Sequence, residues 1–208
     1  MTQGGTRPLS LAAGVDEAGR GPWAGPVVAA AVILGDVVPD GLTDSKRLSA
    51  TKRERLFEDI MKHALAVSFR SVSPRRIDRI DILRATLVAM RESVMTLPIA
   101  PSIVYVDGKQ TIPGLHVPQR ALVGGDGVCP SVSAASIVAK VVRDRMMHAW
   151  DEVYPEYGFA QNKGYGTRQH VAALNDFGPC PLHRFSFAPV QRVVSLTKEL
   201  EWLASMSK

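Results

Sequence analysis

The sequence is poor in cysteine. Its 208 residues hold two, Cys129 and Cys180, in no CxxC pair. That argues against a disulfide framework and a cysteine zinc site, and makes free thiols in a reducing cytoplasm the expectation. Long apolar runs are also missing. The longest, Val27 to Leu34, has eight residues, against the ~20 that a membrane-spanning helix needs. The apolar stretch Leu9 to Val15 is too short for a signal-peptide core and is cut off by Asp16-Glu17, so no secretion and no membrane contact are expected. There is no HExxH, no Walker loop, no GxGxxG and no GxSxG. A serine hydrolase and a small-molecule phosphotransferase therefore have little support. No repeat or low-complexity segment is present.

What is there is an ordinary globular composition with a basic balance. Apolar residues make up 46%, and 25 Lys and Arg stand against 20 Asp and Glu, a net charge of +5. The basicity suits a polyanionic partner such as nucleic acid. Residues 1–10 read as a flexible tail. The Gly/Pro/aromatic-rich stretch 155–187 divides a main domain, 11–155, from a C-terminal helical appendage, 156–208.

Leu11–Val15 and Val27–Leu34 read as strands of a hairpin around Gly19-Arg20-Gly21-Pro22. Ser49 can cap a helix that buries Leu56, Phe57, Ile60, Met61 and Ala64. Leu65–Val72 alternates like a strand. Ile80–Leu97 has helical spacing with Leu83, Leu87, Met90 and Val94 as its stripe. Ser102–Val106 and Arg120–Val123 are short strands. Ser131–Trp150 is a helix rich in small residues, Thr167 caps a helix to Phe177, and 189–206 is a last amphipathic helix. A hairpin followed by alternating helices and strands means an α/β domain with a mixed sheet.

Asp16, Asp107 and Asp126 each lie at or near the end of one of these strands, the region where α/β sheets bind ligands. Converging carboxylates repel one another, a divalent cation relieves that, and oxygen-only ligands suit Mg²⁺ or Mn²⁺. Glu17 can share a site with Asp16 only if the strand ends or bulges there; otherwise it offers its backbone carbonyl or nothing. Gly19-Arg20-Gly21 can form an anion nest, and Ser45-Lys46 before a helix can hold a phosphate. Tyr165, between Gly164 and Gly166 and following Lys163, can present its ring to a base or sugar. His183-Arg184 reads as structural bracing.

In this order the segments resemble one family, the bacterial type 2 ribonucleases H, or ribonuclease HII. The matching stretches are GVDEAGRGPWAGPVVAAAVIL (14–34), TDSKRLS (43–49), DILRATLVAM (81–90), YVDGK (105–109), GGD with SAASIVAKVVRD (124–126, 133–144), YGFAQNKGYGT (157–167) and HRFSF (183–187). The resemblance implies a ribonuclease H-like mixed β-sheet flanked by helices, with a small C-terminal helical appendage. It implies a metal-dependent endonuclease that hydrolyses the RNA strand of RNA/DNA hybrids and nicks 5′ of single ribonucleotides in duplex DNA, in replication and repair. Asp16, Glu17, Asp107 and Asp126 would be the catalytic and metal-binding set, with two Mg²⁺ or Mn²⁺ ions bound together with substrate. Gly19, Arg20 and Gly21 would read the ribose 2′-hydroxyl, Tyr165 would pack on the neighbouring sugar, Lys163 would join the substrate contacts, and Ser45 and Lys46 would hold phosphate. A cytoplasmic monomer is expected, and a sliding-clamp contact finds no support in the sequence. The chain departs from the family's usual pattern in having Gly124 where a lysine is usual, and Arg79 and Asp81 where Glu and Asn are usual. Three alternatives stay open: a DNA resolvase or integrase of the same fold, a non-catalytic hybrid binder, and a small-molecule phosphotransferase.

Overall fold

The computed structural model describes residues 11–42, 45 and 48–196. The expected tail, Lys46, and residues 197–206 of the last helix lie outside them. Five strands form one sheet in the order β3-β2-β1-β4-β5: β1 Ala12–Ala18, β2 Val27–Ile33, β3 Ala66–Val72, β4 Ile103–Asp107 and β5 Gln119–Leu122. The helices are α1 Ala50–His63, α2 Pro74–Ile80, α3 Ile82–Met95, α4 Pro130–Val153, α5 Phe159–Asn162 and α6 Arg168–Phe177, followed by α7 over 188–196. The α/β expectation is met.

Two compact units divide the chain: 1–16, 30–69 and 90–138 in the first, and 17–29, 70–89 and 139–208 in the second. The first holds parallel ladders of β4 with β1 and of β4 with β5. Its closest approach is at Gly14. A Cβ there would lie 2.1 Å from the Ser131 carbonyl carbon and 2.2 Å from the Val132 nitrogen, so the start of α4 rests directly on the β1 backbone. The run Val132 to Ala135 is buried, which is what the small side chains of this helix are for. The second unit has an aromatic centre in which Tyr157 stacks on Phe159 at 5.3 Å, beside Ala24, Met147, Ala173, Cys180 and Leu182.

Several expectations need correction. The helix expected over Ile80–Leu97 is α3, which starts at Ile82 and ends at Met95, and the preceding α2 went unrecognised. Asp81 separates them with φ of +67°, and its Oδ1 accepts from the Arg84 N–H at 2.9 Å to start α3. Leu83 is exposed, and the buried stripe of α3 includes Ala85, Ala89, Met90 and Val94. In α1 the cap is as expected, with the Lys52 N–H donating to Ser49 Oγ, but Met61 is exposed and Ala64 lies just past the end.

The Gly14 contact has a measurable consequence. Gly14→Ala pushes a methyl into backbone atoms that no rotamer change can move, so a loss near the upper end of the usual overpacking cost, about 3 kcal/mol, is expected. Thermal unfolding of Gly14→Ala beside the wild-type chain measures it.

Candidate active site

Three of the four expected carboxylates belong to the first unit, and the parallel ladder brings them to one end of the sheet. Val15 is in register with Val106, and the next residue of each strand is Asp16 and Asp107. Gly14 and Tyr105 are register partners, so the alternation puts Asp16 and Asp107 on one face. Asp16 is 3% exposed. Asp107 Oδ1 accepts from the Gly125 N–H at 2.8 Å, which draws the 3-10 turn Gly125–Gly127 to the end of β4. That turn carries Asp126. Its backbone carbonyl accepts from Ser133 Oγ at 2.6 Å, so the first turn of α4 also fixes it.

Glu17 resolves differently from its neighbour. β1 continues without a break to Ala18, so successive side chains alternate and the Glu17 carboxylate stands on the opposite side of the strand from Asp16. It pairs with the Arg20 guanidinium at 3.6 Å. Of the alternatives read from the sequence, the continuous strand leaves Glu17 its backbone carbonyl or no part in a site with Asp16.

The donor set of Asp16, Asp107 and Asp126 is all oxygen, which fits a hard divalent cation. Among the described residues, no three His, Cys, Asp or Glu side chains form a ready cage for an ion. Mg²⁺ does not need one, since it is usually held by one or two carboxylates together with water and substrate phosphate.

The second unit contains the glycine-rich loop. Two arginines buried to 1% exposure or less, Arg143 and Arg184, hold it from beneath. Arg184 donates to the carbonyls of Gly19 at 2.6 Å, Arg20 at 2.8 Å and Gly25 at 3.0 Å. Arg143 donates to those of Pro26 at 2.9 Å and Ala24 at 3.1 Å. A trans peptide points its N–H opposite to its C=O. With the Gly19 and Arg20 carbonyls turned to Arg184, the N–H groups of Arg20 and Gly21 face away from the buried guanidinium. Gly19 is indispensable to this arrangement: its φ is +96°, and a Cβ would lie 2.0 Å from Arg143 Nε. Burial and the neighbouring Arg143 charge push Arg184 down to about 9.

The Lys163–Thr167 segment is joined to the same loop. The Gly164 carbonyl accepts from the Trp23 N–H at 2.8 Å, and Gly166 lies against the Trp23 ring, where a Cβ would come within 2.2 Å. Tyr165 between them is 48% exposed, and its ring comes within 3.7 Å of the Cβ position of Gly21. Lys163 is engaged locally by His148 at 2.8 Å and by the Ala160 carbonyl. In the first unit the Ser45 hydroxyl is buried against Ser136 Oγ at 2.8 Å, and Arg53 holds the carbonyls of Ser45 and Leu48.

Sequence reasoning passed over Arg143 and His170. Arg143 follows Ala135 and Ala139 at four-residue steps on α4, so a cation on the small-residue, buried face was the available signal. His170 sits at the third position of α6 and gave no such sign. The bracing role read for His183-Arg184 is met: Arg184 holds the loop, and Asp78 accepts from the N–H groups of Phe185 and Ser186 that follow it.

The ribonuclease HII family model matches residues 13–190. Ribonuclease HII of Delftia acidovorans (strain DSM 14801 / SPH-1) is 54% identical over 199 residues, covering 95% of this chain and 84% of that protein. Ribonuclease HII of Dichelobacter nodosus (strain VCS1703A) is 54% identical over 191 residues, covering 91% of this chain and 100% of that protein. Among solved structures, ribonuclease H2 from Pyrococcus horikoshii OT3 superposes with a TM-score of 0.72 at 28% identity, covering 88% of this chain and 96% of that one. The PCNA:RNase HII complex from Archaeoglobus fulgidus gives 0.71 at 29% identity, with coverages of 85% and 94%. Bst-RNase HIII in complex with Mn²⁺ gives 0.68 at 18% identity, with coverages of 92% and 72%, a likeness of fold.

The buried imidazoles beside the loop make stability depend on pH. Burial, then the neighbouring His170, pushes His183 down to about 4, against about 6.5 in an unfolded chain. Above pH 6.5 both states are neutral there and this contribution is flat. Between about 6.5 and 4 the unfolded chain takes up a proton that the folded chain refuses, so stability falls by up to about 1.4 kcal/mol per pH unit. Thermal unfolding at pH 7, 6 and 5 measures the slope, and His183→Gln is expected to flatten it.

Proposed function

The chain belongs to the ribonuclease HII family, and we propose that it incises duplexes 5′ of single embedded ribonucleotides as well as cutting the RNA strand of RNA/DNA hybrids. Ribonuclease H activity on hybrids is what the family membership itself carries. The finer reading rests on one observation above all: an exposed tyrosine fixed beside Gly21 of a loop whose Arg20 and Gly21 N–H groups face away from the buried arginines. That arrangement can test a sugar for its 2′-hydroxyl. A deoxyribose would leave such groups unpaired, at about 1–3 kcal/mol each.

Asp16, Asp107 and Asp126 would hold Mg²⁺ or Mn²⁺, with Glu17 contributing its carbonyl. Bound there, such an ion would supply a lower pKa for the attacking water and charge stabilisation at the leaving 3′-oxygen. Two ions bound with substrate are the expected complement. The carboxylates must be ionised to do this, so metal affinity should weaken at low pH. Hydrolysis breaks the P–O3′ bond, leaving a 3′-hydroxyl and a 5′-phosphate. Gly19 keeps the loop close to its arginine support, Arg20 and Gly21 present backbone donors, and Tyr165 covers the adjoining sugar. In the cell this activity would serve removal of ribonucleotides and RNA primers from DNA, in the cytoplasm.

A labelled DNA duplex with one ribonucleotide tests the reading. A nick on its 5′ side is expected with Mg²⁺ or Mn²⁺, none with chelator, and none on an all-DNA duplex. Binding without cleavage under either metal would instead support the non-catalytic alternative. Asp16→Asn and Asp107→Asn should each lower turnover at least about a hundredfold while duplex binding, read by fluorescence anisotropy, survives. Equal loss of binding in both would count against metal catalysis.

Tyr165→Ala should cut kcat/KM on the single-ribonucleotide duplex about tenfold, since base or sugar stacking contributes about 1–3 kcal/mol. Unchanged kinetics on that duplex would remove Tyr165 from the site.

A further inference from the structure

Behind Tyr165 lies a buried pair of histidines that the chemistry above does not use. His170 and His183 are both 0% exposed, and their Nε2 atoms face each other at 3.0 Å. His170 Nδ1 lies 2.9 Å from the Tyr165 carbonyl oxygen. At the other end, the Cys180 N–H donates to His183 Nδ1 at 3.0 Å.

One neutral arrangement satisfies all of these contacts; the opposite one, in which His183 Nδ1–H donates to the Cys180 carbonyl 3.3 Å away, would set a lone pair of His170 against the Tyr165 carbonyl and lose the Cys180 N–H donation. A carbonyl only accepts, so His170 carries its proton on Nδ1 and donates it to Tyr165. Its Nε2 is then a lone pair and accepts from His183 Nε2–H. His183 Nδ1 is consequently a lone pair as well, which is what the Cys180 N–H requires. Each link fixes the next, from a backbone amide at one end to a backbone carbonyl at the other. The surroundings keep the pair uncharged: Tyr157 and Phe159 pack edge-on or tilted against both rings, and burial lowers both imidazoles.

We propose that the His170–His183 pair is a positioning device for Tyr165, setting its ring for recognition of the junction between ribonucleotide and deoxyribonucleotide. The inference rests on the reading of Tyr165 given above. Its physical need is plain from the flanks. Tyr165 stands between two glycines, one at φ of +83°, and glycine alone fixes a backbone poorly. Its N–H donates to the Asn162 carbonyl at 2.9 Å, and its carbonyl also receives the Thr167 N–H at 2.8 Å. Both of those partners belong to the same short segment and move with it. The preceding peptide is tied to the loop by the Trp23 N–H on the Gly164 carbonyl; His170 holds the following peptide from the buried core, and with both peptides held the Cα–Cβ direction of Tyr165 is held too.

The test compares cleavage of a single-ribonucleotide duplex with cleavage of a long RNA/DNA hybrid. His170→Phe keeps the ring's volume and loses the donor. It should lower the ratio of the two kcat/KM values about tenfold, while His170→Asn, whose amide nitrogen stands near the Nδ1 position, should restore much of it. Folding of both variants is checked by circular dichroism. A folded His170→Phe with an unchanged ratio, alongside a Tyr165→Ala protein that loses it, overturns this inference and leaves the role of Tyr165 standing. An unchanged ratio in Tyr165→Ala overturns both. A readout on the wild-type chain covers the case in which the variants do not fold. Long-range ¹H–¹⁵N spectra at pH 7 should show His170 protonated at Nδ1 and His183 at Nε2, both neutral. Any other tautomer pair, or a charged ring, overturns the relay.

Discussion

The second unit is organised around a desolvated charge. A guanidinium removed from water is costly unless its donors are satisfied. Arg184 meets that demand with the carbonyls of Gly19, Arg20 and Gly25; Arg143 meets it in part, giving Nε and Nη2 to the carbonyls of Pro26 and Ala24 while its buried Nη1 has no hydrogen-bond partner. The dependence runs both ways. The loop needs the arginines because a chain folded back on itself between two strands has carbonyls with no ladder to join. The arginines need the loop because, once buried, they have few other acceptors. Arginine suits the task better than lysine, since its planar fork reaches several oxygens at once and keeps its charge under desolvation. The outward-facing amides follow as a by-product, because carbonyls pulled one way send the amides of the same peptides the other way.

In the first unit the governing constraint is closeness. A parallel sheet places the ends of β1, β4 and β5 together, but the carboxylates there are set by backbone rather than by side-chain packing. Gly14 lets α4 settle on β1. The start of α4 then holds the Asp126 turn through Ser133, and the same turn donates to Asp107. Asp107 is thus referred to a main-chain amide of the Asp126 turn, and the carbonyl of that turn to the Ser133 hydroxyl of α4. Such references tolerate little change in side-chain volume, which is why alanine, serine and glycine crowd these stretches.

This explains what could be read from the sequence and what could not. Apolar alternation and runs disclosed all five strands, and Ser49 and Thr167 disclosed their helices, because those signals are local. The three aspartates were legible because strand-end acids beside glycine form a pattern within a few residues. Glu17 was left open, since whether β1 stops at Asp16 or runs to Ala18 depends on its partners in the sheet. The start of α3 was placed close to its true position, but the seven-residue α2 before it was missed, being too short for an apolar period to show; the positive φ of Asp81 and the recapping at Arg84 set the two apart. His170 was invisible for a deeper reason. Its role exists only through a contact with His183, thirteen residues on, and with a carbonyl, neither of which leaves a periodic trace.

Gly124 shows how a departure from family habit can be physically consistent. The residue adopts φ of +67° and ψ of +34° at the head of the Asp126 turn, a region where any side chain carries strain of about 1–2 kcal/mol. A Cβ placed there meets nothing within 4 Å, so space is no obstacle to the lysine usual in the family; the backbone is. Glycine relaxes the turn that carries Asp126. What keeps Asp126 in place is the geometry of the turn itself, fixed by the Gly125 N–H on Asp107 and by the Ser133 hydroxyl on the Asp126 carbonyl.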